Sequence, residues 1–150
     1  MTREQPELWT CPNCGERFTT AHQWHSCGTF SIEELFRRSD PSVLDLYERF
    51  RRIVEECGPV RVIPQKSRVA FQVRMRFAAL MPQKRALKGH LVLGKRCESS
   101  CFERIVTFSP RSHVHIFKLA SEADLNDEFR RWVRDAYKVG CQEHLVGGAK

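Results

Sequence analysis

At Gly58-Pro59 the apolar period of the chain changes, and that change limits what the sequence can fold into more than any other feature. Before it, Val43, Leu46, Tyr47, Phe50, Ile53, Val54 and Cys57 recur at spacings of three and four. That spacing predicts a helix over 41–57, opened by Asp40-Pro41 and ended by Gly58-Pro59. After it the period is two. Val69, Phe71, Val73, Met75, Phe77 and Ala79 alternate with Arg68, Ala70, Gln72, Arg74, Arg76 and Ala78, which predicts one long half-buried strand with a basic reverse face.

A second strand follows between Pro82 and Gly94, where Leu87, Gly89, Leu91 and Leu93 alternate with Lys88 and His90. Residues 104–108 and 112–119 read as two more strands, joined by a turn at Ser109-Pro110-Arg111. Ser121 is placed to cap a last helix with the apolar stripe Leu125, Phe129, Trp132, Val133, Ala136 and Tyr137, closed by Gly140. Upstream, Ser31 stands three residues before Glu34, the spacing of a capping box for a short helix. Short connections favour antiparallel pairing, and two amphipathic helices need one apolar surface. The fold expected is α+β: four or five strands in an antiparallel sheet, with the helices packed on one face, the other face left basic, and a small zinc module in front. The domains expected are a zinc-binding mini-domain over 1–30 and an α+β domain over 31–150.

No apolar run approaches the roughly 18 residues that span a bilayer. Arg3, Glu4 and Glu7 interrupt the start, where a signal peptide needs an apolar stretch. A cytoplasmic protein without a membrane partner is expected. The cysteines number seven, an odd count, so Cys57, Cys97, Cys101 and Cys141 are read as reduced thiols.

The net charge of +7 is concentrated, since residues 60–120 carry thirteen basic and two acidic side chains. Such a stretch fits a surface that meets a polyanion, and equally a solvated face that aids solubility. Arg68, Arg74, Arg76, Lys84, Lys88 and His90 belong to it, joined by Arg111, His113 and His115 if Val114 and Ile116 face the core. Phe117 and Leu119 have the opposite parity, so that register requires a bulge.

Cys11-Pro12-Asn13-Cys14-Gly15 is followed by His22, His25 and Cys27, five ligand-type side chains in seventeen residues. Cys-x-x-Cys lets one tight turn aim two thiolates at one zinc ion. The other two ligands come from three candidates. His22 and His25 suit a helix, whereas His25 and Cys27 converge only where the chain is extended or leaving one. Four protein ligands close a tetrahedral site, so its role is structural. A second metal site from Cys97, Cys101, Cys141 and His144 has only permissive spacing.

Phosphate loops and nucleophile elbows are absent from the sequence, and the basic stretch offers only Glu98 and Glu103 as carboxylates. A binding protein is therefore favoured over an enzyme. Nucleic acid or another phosphate-bearing ligand is the first expectation for its partner. A protein partner docked by the zinc module is the second, and an enzyme acting on a phosphorylated small molecule through Arg111, His113 and His115 the third.

Four segments also carry a resemblance: Cys-Pro-x-Cys-Gly at 11–15, Gln-x-His-Ser-Cys-Gly at 23–28, Phe-Ser-Pro-Arg-Ser-His-Val-His at 108–115 and Ala-Tyr-x-Val-Gly-Cys-Gln-Glu-His-Leu at 136–145. With these the chain resembles a bacterial family catalogued as domain of unknown function 5655, in versions that begin with a cysteine-rich finger. Members usually carry Asn where His22 stands, so the resemblance implies Cys11, Cys14, His25 and Cys27 as the zinc ligands. Related domains are labelled predicted transport proteins, a label that finds no support in a chain without a membrane span. The order helix, antiparallel sheet, helix is also similar to frataxin-like modules, an analogy of fold alone.

Overall fold

Eight strands and three helices are described in this computed structural model, which covers residues 7–12, 17–19 and 30–142. A hairpin of β1 (Trp9–Thr10) and β2 (Arg17–Phe18) comes first. Helix α1 (Ile32–Leu35) starts at Ser31, whose Oγ accepts the Glu34 N–H at 3.1 Å. Helix α2 spans Pro41–Cys57, as its period predicts, and buries Val43, Leu46, Tyr47, Phe50, Ile53 and Val54. It stops at Gly58, where φ is +146° and a Cβ would lie 2.5 Å from the Tyr137 hydroxyl. Only glycine tolerates both conditions.

The main sheet holds β3 (Arg61–Pro64), β4 (Val69–Gln72), β5 (Arg76–Pro82), β6 (Leu87–Leu93), β7 (Arg104–Ser109) and β8 (Ser112–Leu119). Its order is β3-β4-β5-β6-β8-β7, antiparallel throughout. Because β8 lies between them, β6 and β7 run parallel, and residues 94–103 must cross from one to the other. A 3-10 turn over Glu122–Asp124 leads to α3 (Asp127–Gly140).

Two expectations need correction. The predicted long strand is a hairpin, because Val73–Met75 form a turn between β4 and β5. The main-chain N–H groups of Arg74 and Met75 reach the Gly140 carbonyl at 2.9 and 3.0 Å, which supplies partners to the last carbonyl of α3. Beyond the turn, Gln72 pairs with Arg76 and Phe71 with Ala78. Phe77 is thus an extra residue in β5, and both it and Ala78 join the core. The last helix begins later than Ser121. Ser121 and Asp124 close a capping box around the 3-10 turn, while the Asn126 side chain caps α3 by accepting the Phe129 N–H at 2.9 Å.

Helices α2 and α3 cover the same sheet face. Phe50 of α2 lies 5.2 Å from Phe71, 6.0 Å from Phe117 and 6.1 Å from Phe129, measured between ring centroids. Phe117 of β8 meets Phe129 of α3 edge-on at 4.9 Å. Each fully buried ring of this kind contributes up to about 3 kcal/mol of burial free energy, which is why so small a domain has a stable centre. The α+β class with helices on one sheet face is as the sequence predicts, with six strands in that sheet in place of four or five.

Candidate anion-binding face

Pairing registers sort every strand residue onto one of two faces. Leu87, Gly89, Leu91 and Leu93 of β6 face the helices, and β8 sets Leu119, Phe117, His115 and His113 opposite them. His113 and His115 therefore lie on the core side, 8% and 0% exposed. The expected register, with Val114 and Ile116 in the core, is wrong: no bulge intervenes, and the large apolar Phe117 and Leu119 decide the parity of the whole strand. His115 is tolerated there because the crossover at 94–103 covers it. Its Nε2 accepts the Cys97 N–H at 3.0 Å, its Nδ1 donates to the His113 carbonyl at 2.9 Å, and Phe102 meets the ring edge-on at 4.8 Å. His113 is occupied by the Thr107 hydroxyl at 2.9 Å and the Pro110 carbonyl at 3.1 Å. Arg111 sits exposed in the β7–β8 turn, so Arg111, His113 and His115 do not share a surface.

The outer face carries the other parity. Ile63, Ala70, Gln72 and Ala79 are all buried, so the part formed by β3 to β5 is not the open basic surface expected. The Gln72 Nε2 donates to the Arg17 carbonyl, which puts the N-terminal hairpin against this side of the sheet. Toward β6 and β8 the face is different. Lys88 pairs directly with Lys118, Met81 neighbours Lys88 on β5, and Arg68 stands just ahead of Val69, the partner of Leu80. Arg68, Met81, Lys88 and Lys118 thus make one row across four strands, at about 4.8 Å per strand.

Among the described residues none of Arg68, Lys88, Lys118 and Arg104 makes an ion pair; Arg68 Nε donates to Gln65 Oε1 at 3.1 Å. Arg104, opposite Ile116, extends the same face toward the sheet edge. In the next row His90 pairs with Ile116 and Ala79. Desolvation, with the nearby Arg68 charge adding to it, pulls its pKa down to about 4, so at neutral pH His90 brings a polar ring and no charge.

The remaining expected residues scatter. Arg76 pairs with Gln72 at the far end of the outer face, Arg74 occupies the β4–β5 turn with its Nε on Gln142 Oε1 at 2.9 Å, and Lys84 lies in the β5–β6 turn. Lys118 and Arg104 were missed. The signal was available for Lys118, since the parity of Phe117 and Leu119 puts it outside.

Of the expected zinc ligands, only Cys11 is among the described residues, while Cys14, His25 and Cys27 lie outside them, as does the alternative His22. Cys11 is buried directly after β1, next to Thr10, which pairs with Arg17 of β2. Among the described residues no group of three or more His, Cys, Asp or Glu is arranged to hold a metal, and of the second site considered above His144 lies outside them.

One family model, described as Domain of unknown function (DUF5655), matches residues 32–140. The chain belongs to the DUF5655 family. No curated protein and no solved structure matches it. The DUF5655 match begins at the first residue of α1 and ends at the last of α3, so it contains the whole sheet and the cationic row, while Cys11, Cys14, His25 and Cys27 precede it. No helix among the described residues is long and apolar enough to cross a membrane.

Proposed function

We propose that this protein binds a phosphate-bearing polyanion, nucleic acid first, through the outer-face row of Arg68, Lys88 and Lys118. The observation that carries the reading is the direct cross-strand pairing of Lys88 with Lys118 beside Arg68, with no carboxylate paired to any of them among the described residues. Like charges set opposite each other on a sheet are destabilising, and a bound anion relieves the repulsion. Large aromatic side chains are absent from this row, so contacts go to phosphate and not to stacked bases. Binding is then weakly dependent on sequence and strongly dependent on salt.

The zinc module is part of the proposal as a structural element. Cys11, Cys14, His25 and Cys27 hold one zinc, and the Gln72–Arg17 hydrogen bond ties the hairpin to its own sheet, which favours support of the outer face over docking of a separate protein. Titration of fluorescent single-stranded and duplex oligonucleotides at several salt concentrations tests the function. Lys88→Ala with Lys118→Ala is expected to lower the slope of log K against log salt by roughly two units. Absence of binding at low salt, or an unchanged slope, removes the nucleic-acid reading.

A further inference from the structure

A concave site lies at the end of the sheet where β5 turns into β6. It is a cleft of about 540 Å³ between the α1–α2 connection and the β5–β6 turn, lined by Glu34, Leu35, Arg37, Arg38, Ser39, Pro82, Gln83 and Lys84. Its two walls are fastened to each other. The Ser39 hydroxyl donates to the Gln83 carbonyl at 2.8 Å, and the Asp40 N–H donates to the Lys84 carbonyl at 2.8 Å. The cleft is therefore preformed, which lowers the ordering cost of a ligand.

Its charge is one-sided. Arg37, Arg38 and Lys84 contribute three positive charges, and Glu34 is the single carboxylate in the lining, which leaves two positive charges in excess. Glu34 is already engaged, because the Ser31 hydroxyl donates to its Oε1 at 3.1 Å. None of the three cations makes an ion pair among the described residues. Guanidinium groups present planar forks of donors that match a phosphate or carboxylate, and a lysine adds a point charge.

We propose that this cleft binds a small phosphate monoester. A dianion of this class neutralises the excess of two charges, and the volume is in the range of small-molecule sites, about 300–1,000 Å³. The site shares no lining residue with the Arg68, Lys88, Lys118 row and stands whether or not that row binds nucleic acid.

Ribose 5-phosphate is the probe, titrated at constant ionic strength into 15N-labelled full-length protein, with ribose as the control. Saturable shifts are expected at the amides of Arg37, Arg38 and Lys84 with the phosphate and not with ribose. Arg38→Gln together with Lys84→Gln, both at exposed positions, is expected to weaken binding by about tenfold or more, while Lys88→Ala with Lys118→Ala leaves it unchanged. The proposal is overturned by linear, non-saturating shifts or by an affinity indifferent to Arg38→Gln and Lys84→Gln. A 5′-phosphorylated oligonucleotide that saturates the same amides at lower concentration also overturns it, by assigning the cleft to nucleic acid.

Discussion

The His115 Nε2 accepts the main-chain N–H of Cys97, eighteen residues earlier in the chain, at 3.0 Å. A fully buried imidazole on the core face of β8 thereby anchors the crossover that carries the chain from β6 to the sheet edge. Both of its ring nitrogens are used, because Nδ1 reaches the His113 carbonyl.

His115→Ala is expected to cost about 2–4 kcal/mol, since it leaves a cavity beside Phe102 and strips the Cys97 N–H of its partner. Urea unfolding measures it. The loss should be accompanied by faster amide exchange at Cys97, and a variant that unfolds like the wild type would show that the crossover is held by other contacts.

Acid should weaken the fold through two buried histidines. His90 is held down to about 4, by burial and then by Arg68, and His115 is held below the usual histidine range by burial. The unfolded chain therefore binds protons below about pH 6.5 that the folded chain refuses, so stability is level above that pH and falls as pH drops toward 4. For His90 alone the loss between pH 6.5 and 5 approaches about 2 kcal/mol. Urea midpoints at pH 7.5 and 5 should differ less in His90→Gln than in the wild type; equal differences would refute the assignment.

Lys118→Glu should act in opposite directions on stability and binding. An attractive Lys88–Glu pair in place of a repulsive one is expected to raise stability by about 0.2–1 kcal/mol. The same change should weaken oligonucleotide binding at low salt more than Lys118→Ala does. Thermal melts and salt titrations on the three proteins check both signs. A variant that gains stability and keeps its binding would move the anion site off the row.

The N-terminal module supplies a metal test. Purified protein is expected to hold about one zinc per chain and to lose it in Cys11→Ser, with residues 1–30 becoming protease-sensitive while 32–140 stays folded. Gln72→Ala removes the hydrogen bond to the Arg17 carbonyl and should raise proteolysis in the first thirty residues without releasing zinc. Release of zinc by His22→Ala and not by His25→Ala would overturn the ligand set.

The sequence alone determined the elements wherever one periodicity ran without interruption. Helix α2 follows from its apolar stripe, from the Pro41 start and from a Gly58 that no other residue replaces at φ +146°. Strand β6 follows from alternation bounded by Pro82 and Gly94, and the β7–β8 hairpin from the turn at Ser109-Pro110-Arg111. The predicted strand through Val73 and Met75 failed because alternation is blind to a turn whose N–H groups are satisfied by Gly140, some sixty-five residues away. Which face His113 and His115 take was written in the neighbouring Phe117 and Leu119, yet it became acceptable only through a crossover that brings Cys97 and Phe102 over polar rings. The candidate sites are tertiary for the same reason. Lys88 and Lys118 meet because β8 inserts between β6 and β7, and Arg37, Arg38 and Lys84 meet because Ser39 and Asp40 bind the β5–β6 turn. Local pattern fixes which side of its own element a residue takes, whereas long-range hydrogen bonds and packing choose which elements become neighbours.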